Sequence, residues 1–180
     1  MADVSGKKIA IVVANYFEED EFTGPKKAFE EAGATVHVIA AEPEDGIVQA
    51  LQHVDKSNTY KYDMSLDEAN IDDYDALVLP GGAINADQLR MQDKARQWAK
   101  RFVDQGKPVA AICHAPWLLA SAGLAKGRKL TSFFTIQDDM RAAGANWVDE
   151  EVVIDGPIIT SRKPDDVPVF NQAIISMLGA

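Results

Sequence analysis

Residues 106–119 read GKPVAAICHAPWLL. Gly106 and Pro108 break the segment before them, and the run VAAIC is apolar at every position instead of alternating. A strand without a polar face is a strand covered by helices on both sides, the mark of a parallel sheet between two layers. Pro116 then opens a helix, because a proline is tolerated in a first helical turn. The stretch reads as strand, turn and helix, with Cys113 at the turn.

The same alternation runs outward in both directions. KKIAIVVA (7–14) and ALVLPGG (76–82) are further smooth strands. A helix passes through PKKAFEEAG (25–33), and TVHVIAAE (35–42) is the next strand. Residues 87–106 carry Leu89, Ala95, Trp98 and Phe102 at helical spacing and predict one long helix ended by Gly106. Residues 46–69 are polar with partial alternation and predict a surface β-excursion. Beyond the cysteine, a helix from Pro116 to Ala122 precedes a strand in GRKLTSF, a short helix near IQDDMRAAG, two strands around Asp155-Gly156, and a terminal helix with Asp165 and Asp166 in its first turn. Strand–helix alternation of this kind predicts an α/β fold: one doubly wound, mostly parallel sheet between helices, with a small β-excursion, as a single domain over 1–180.

Composition narrows the partners. A chain of 180 residues, 47% hydrophobic, can bury a core without staples. One cysteine makes no internal disulfide, and MADVSGKKIAIVVA lacks the long apolar region of a secretory signal, so the expected location is the cytoplasm. Runs such as IAIVVA are too short to cross a bilayer as helices, and no membrane partner is expected. A formal net charge of -10 argues against binding a nucleic-acid backbone. His37, His53 and His114 are far apart in sequence with no second cysteine, a poor pattern for a metal site. Neither a phosphate loop nor a dinucleotide fingerprint is present, so no cofactor is expected.

Chemistry concentrates on one rim. Ligands of doubly wound sheets gather at the carboxyl ends of the strands, and Cys113 sits at such an end. Ala111 and Ala115 flank it as the small residues of a nucleophile elbow, and the following helix directs amides toward the sulfur, favouring thiolate. The competing reading is a small buried hydrophobe. His114 could serve as base only where the backbone turns, and otherwise packs or caps. NYFEEDEF (15–22) supplies Glu18, Glu19, Asp20 and Glu21 on the same rim; these are either a solvated first turn or a source of one inward acid. The glycines of VLPGGAINADQLR (78–90) allow close backbone approach to a ligand, or form a plain tight turn.

Taken together, NYFEEDEF, LVLPGGAINADQLR, GKPVAAICHAPWLLASAGLAKGRKLTS and ITSRKPDDVPVF closely resemble the PfpI family of intracellular peptidases and stress proteins. That family lies in the superfamily of the parkinsonism-associated deglycase and the class I glutamine amidotransferases. The resemblance covers essentially the whole chain. It implies a flavodoxin-like sandwich and a homodimer or larger assembly, with a nucleophilic Cys113 partnered by His114. It implies Glu21 as the acid touching the thiol, with Glu18 as a second candidate, and an oxyanion hole from the amides of Gly82 and His114. Asp87 matches a carboxylate lent across a subunit interface in some relatives, in a loop that differs in length from theirs. Trp117 stands where many relatives have Gln, and its indole near the pocket is expected to narrow substrate access or to change the pocket's polarity.

The expected function is a stress-associated cysteine-nucleophile enzyme without cofactor. Its substrates would be methylglyoxal and glycated adducts in a glyoxalase or deglycase reaction, or peptides in a hydrolase reaction. The alternative is a redox sensor or holdase built on an oxidisable Cys113.

Overall fold

The computed structural model describes residues 2–180. The chain enters through β1 (Lys8–Val13), buried from Ile9 onward. Ile9, Ile11 and Val13 enter one core and Ala10 and Val12 another, so the period of two delivers apolar side chains to both faces. β2 (Phe17–Glu18) leads into α1 (Glu19–Glu31), and β3 (Thr35–Ala40) returns parallel to β1. β4 (Ile47–Gln52) and β5 (Asp55–Lys61) form an antiparallel hairpin that joins β2 in a separate three-stranded sheet. β6 (Met64–Ser65) then extends the main sheet beyond β3.

β7 (Ala76–Leu79) crosses to the other side of β1 and is followed by α2 (Ala83–Met91) and α3 (Asp93–Asp104). β8 (Val109–Ile112) pairs with β7 and runs into α4 (Pro116–Ser121). β9 (Lys129–Leu130), α5 (Gln137–Ala142) and β10 (Asn146–Trp147) make a small side unit, with β9 and β10 paired as a sheet of their own. β11 (Val152–Asp155) and β12 (Ile158–Ser161) form the antiparallel edge, and α6 (Val167–Leu178) closes the chain. The main sheet has the order β11-β12-β8-β7-β1-β3-β6, parallel except at β11. The chain leaves β1 toward β3 and comes back to β7, which puts the topological switch point between β1 and β7.

The doubly wound, mostly parallel sheet and the β-excursion are as the sequence predicts. Two local expectations are corrected, in 87–106 and in GRKLTSF. The single helix over 87–106 is two helices, divided at Gln92, whose backbone is extended (φ -78°, ψ 111°). The division lets α2 pack on α4 while α3 covers β7 and β8. Helix α1 begins at Glu19, six residues before Pro25; that proline sits inside the helix and leaves the Glu21 carbonyl without its i+4 amide. In GRKLTSF only Lys129 and Leu130 pair as strand, because the next amide, that of Thr131, donates to the Thr160 hydroxyl (2.9 Å) instead of to a carbonyl.

Candidate active site

Three strand ends converge at the switch point: Tyr16 to Glu21 after β1, Pro80 to Gly82 after β7, and Cys113 after β8. Cys113 has φ 64°, the left-handed region that costs a non-glycine residue roughly 1–2 kcal/mol. The surrounding chain holds it there. Its amide donates to the Ser161 carbonyl (3.0 Å) and its carbonyl accepts from the Phe133 amide (2.7 Å). Ala111 and Ala115 beside it are both buried, and the Ala115 amide closes the turn on the Ile112 carbonyl (3.0 Å). This is the strained elbow, with Ala in both flanking places.

The paired glycines are required by contact. A Cβ on Gly81 would collide with Glu21 Oε2 and with Cys113 Cβ, and a Cβ on Gly82 would lie 2.7 Å from the Tyr16 carbonyl oxygen. Gly82 also has φ 89°. Asn85, fully buried, braces this turn: its Oδ1 accepts from the Ala14 amide (2.7 Å), and its Nδ2 donates to the carbonyls of Pro80 and Gly81 (both 2.9 Å). One amide side chain thus ties the end of β1 to the end of β7.

The acidic run splits into four fates. Glu21 is 0% exposed, and its Oε2 accepts from the Gly81 amide (2.8 Å). Among the described residues its Oε1 has no hydrogen-bond partner, and its side chain meets Cys113 across Gly81, whose Cβ position both residues crowd. Glu18 is buried at the cavity wall and accepts from the His53 amide with both oxygens (3.3 and 3.1 Å). Glu19 accepts from the Tyr60 hydroxyl (2.7 Å) and fastens the β4–β5 hairpin to α1. Only Asp20 is exposed, as an ordinary first-turn acid would be.

His114 Nδ1 lies 3.2 Å from Cys113 Sγ. Its ring stacks on Phe133 (centroids 4.8 Å apart), and its Nε2 lies 3.5 Å from Thr135 Oγ1. Asp87 is exposed on α2 and does not line the cavity, and among the described residues no carboxylate hydrogen-bonds the His114 ring. Trp117 also stays out of the lining. Its indole meets the edge of His114 (5.3 Å), donates to Asp139 (2.8 Å) and carries Arg90 over its face (5.2 Å). The expectation that Trp117 narrows the pocket is therefore corrected: α4 turns it behind the imidazole.

Charge follows burial. Desolvation, and secondarily the charge of Glu18, push the Glu21 carboxyl up to about 8, so it holds its proton at neutral pH. Burial also raises the Cys113 thiol, as does Glu21 once ionised, while the amides of Gly82 and His114 pull the other way. The helix-driven thiolate expected from the sequence is opposed by burial and by Glu21, which the sequence does not display. Burial lowers His114, so the imidazole is neutral and able to accept a proton.

These groups open into a cavity of about 480 Å³ lined by Glu18, Glu21, Gly82, Cys113 and His114, with Leu51, Val54, Ile84, Phe133 and Pro164 among its walls. Sequence reasoning missed Asn85, the His53 contact to Glu18, and the clamp in TSRKPDD. There Arg162 donates from Nε (2.9 Å) and Nη2 (3.0 Å) to the buried Asp166, and from Nη1 to Asp149 (2.8 Å), fixing the segment that carries Pro164. Among the described residues no cluster of three or more His, Cys, Asp or Glu is arranged to hold a metal ion.

Residues 7–177 match the DJ-1/PfpI family. General stress protein 18 of Bacillus subtilis is 45% identical over 174 residues, covering 96% of this chain and 98% of that protein. Protein/nucleic acid deglycase 2 of Escherichia coli is 43% identical over 175 residues, covering 97% of this chain and 99% of that protein. Among solved structures, a two-domain protein of Anabaena variabilis with DJ-1/ThiJ/PfpI-like and ferritin-like domains superposes with a TM-score of 0.89 at 35% identity, over 96% of this chain and 48% of that one.

Proposed function

The chain belongs to the DJ-1/PfpI family, and from that premise we propose that it is a cofactor-free cysteine enzyme of the glyoxalase and deglycase type. The observation that carries this reading is the buried Glu21, protonated at neutral pH and facing the thiol of a strained Cys113. A nucleophile and a neutral acid on one carbonyl-sized floor suit addition to an aldehyde, in which sulfur attacks carbon and oxygen needs a proton.

The steps balance without a redox partner. Sγ bonds to the aldehyde carbon of a 2-oxoaldehyde as the thiol proton passes to His114 Nδ1, and the carbonyl oxygen takes the Glu21 proton. The product is a hemithioacetal. Glu21, now ionised, removes the hydrogen on that carbon as a proton and returns it to the neighbouring carbon, while the protonated His114 gives its proton to the ketone oxygen and takes the one on the hemithioacetal hydroxyl, leaving a 2-hydroxy thioester. Water cleaves the thioester and restores the thiol, so the net change is addition of one water. Methylglyoxal would give lactate, and a glycated adduct would enter by exchange onto Sγ. The amides of Gly82 and His114, which pull the thiol down against burial, are the donors available to charge that develops there.

Peptide hydrolysis is the second reading, favoured by the 3.2 Å approach of His114 to Sγ. It asks for a carboxylate on the imidazole, which would have to come from a second copy of the chain. We propose a homodimer acting in the cytoplasm, in keeping with the resemblance of the chain to stress proteins. The test is methylglyoxal consumption with lactate release, beside Cys113→Ala and Glu21→Gln and with a fluorogenic peptide mixture. Lactate formation lost in both variants is expected; peptide cleavage without lactate overturns the proposal in favour of the hydrolase, and no turnover of either leaves oxidation of Cys113 as its role.

A further inference from the structure

The cavity is far larger than a three-carbon substrate needs. Its 480 Å³ lies in the range of about 300–1,000 Å³ typical of drug-sized ligands. Methylglyoxal, with five non-hydrogen atoms, displaces the equivalent of only about three or four waters at ~30 Å³ each. Glu18, Glu21, Cys113 and His114 bring polar groups to the lining, joined by Tyr16 and by His53 at the hairpin tip. The outer half is walled by Leu51, Val54, Ile84, Phe133 and Pro164, and neither Lys nor Arg lines it.

The hairpin tip points the same way. His53 and Val54 are the two loop residues between the paired Gln52 and Asp55, and His53 has φ 59°. A positive φ at the first loop position is ordinarily given to glycine. Val54 beside it is 87% exposed, and Ile84 across the mouth is 48% exposed. Turn chemistry explains neither residue, and a strained position at a cavity mouth is where function is sought. The tip is held over the cavity by the bonds from the His53 amide to the Glu18 carboxylate, a group that faces the site from the end of β2.

We propose that the outer half of the cavity is an apolar subsite that selects 2-oxoaldehydes bearing a neutral aromatic or branched substituent on the ketone carbon, with Val54 and Ile84 as its specificity-determining walls. The inference rests on the glyoxalase-type reading and deepens it. The reacting aldehyde sits on the floor at Sγ while the substituent lies against Leu51 and Phe133. Anionic substituents are disfavoured by the two carboxyl groups in the lining and the absence of a Lys or Arg to pair them. The reaction is unchanged: R–CO–CHO takes up one water to give R–CH(OH)–COOH, with no net gain or loss of electrons.

The test compares kcat/KM for phenylglyoxal and methylglyoxal, read as mandelate and lactate, in the full-length protein and in Val54→Asp and Ile84→Asp. A preference for phenylglyoxal of about tenfold or more is expected, since each added apolar group in a fitted pocket discriminates roughly 10–200-fold. The ratio is expected to fall about tenfold in each variant. A wild-type ratio at or below one, or a ratio that neither variant moves, overturns the proposal. A second readout needs no turnover: alkylation of Cys113 by N-phenyl iodoacetamide against iodoacetamide, each normalised to free cysteine. Aromatic preference in alkylation without turnover of either aldehyde would sink the glyoxalase reading and keep the subsite. Turnover with equal alkylation rates would do the reverse. If Val54→Asp dissociates a dimer and leaves both ratios unchanged, the apolar mouth is an interface and the subsite is refuted.

Discussion

Replacing Glu21 with Gln removes an ionisable group from the most buried point of the site, and it should change how stability depends on pH. The folded carboxyl titrates at about 8, against an ordinary value of 4.5. Between those values the folded chain keeps a proton that the unfolded chain releases, so stability falls as pH rises. Below the ordinary value both states hold the proton and Glu21 costs nothing; above the folded value the whole penalty is present. A shift of this size, at about 1.36 kcal/mol per unit, corresponds to about 5 kcal/mol in total, of which roughly 3–4 kcal/mol develops between pH 5 and pH 8. Gln is shaped like the protonated acid and keeps an acceptor for the Gly81 amide. Urea unfolding of both proteins at pH 5, 6, 7 and 8 isolates the term, because Glu21→Gln should gain on the wild type by that amount across the series. In melting temperature the gain is roughly 10 °C for a chain of this length. His114, lowered by burial, gives a slope of opposite sign on the acid side, present in both proteins and absent from the difference. The cost of the raised Cys113 thiol develops only above its ordinary value of 9.0. A difference that stays constant from pH 5 to pH 8 would refute a Glu21 held protonated by burial.

Three further outcomes follow from the same contacts. The pH profile of Cys113 alkylation by iodoacetamide should move to lower pH in Glu21→Gln, because the charge that opposes thiolate formation is gone; an unmoved or higher midpoint would contradict the coupling. Asn85→Ala strips a partner from the Ala14 amide and from two buried carbonyls and should cost about 2–3 kcal/mol in urea unfolding, whereas a surface-like loss of under about 0.5 kcal/mol would show that the turn stands without it. Arg162→Met leaves the buried Asp166 uncompensated and should destabilise by about 3–5 kcal/mol, while Arg162→Met with Asp166→Leu should recover most of the loss; failure of the double variant to recover would place the energy in packing instead.

The smooth strands were legible because β1, β7 and β8 feed two cores, and a sequence with no polar face can hardly do anything else. The elbow was legible for a related reason: small residues around Cys113 and a following proline are local features. What stayed hidden is set by tertiary contact. The acids of 18–21 look like a solvated first turn of α1, yet Glu21 and Phe22 in that turn are buried against the sheet. Four adjacent acids look equivalent in sequence, and only the packing of Gly81 and the hairpin on them separates a buried acid from a clasp and a solvated charge. His53 carried no signal, since its partner lies 35 residues away. Trp117 is placed by helix phase, which turns its indole behind His114 and out of the lining.

Burial does more at this site than raise two pKa values. Cys113 and Glu21 flank Gly81 so closely that no side chain fits between them, and in such a dry place two acids do not both ionise near neutral pH. The two groups therefore titrate as a pair, an ionised Glu21 opposing ionisation of the thiol. At neutral pH Glu21 stays the proton donor while Cys113 becomes the nucleophile as His114 takes its proton, a division of roles that a solvated carboxyl with its ordinary value of 4.5 would not provide. The arrangement depends on backbone as much as on side chains. The left-handed Cys113 aims sulfur at the acid, Gly81 lets them meet, and Asn85 keeps the end of β7 where the end of β1 requires it. Loosening any of these lets water in, and each group would then return toward its ordinary titration and lose the pairing on which aldehyde chemistry at this thiol depends.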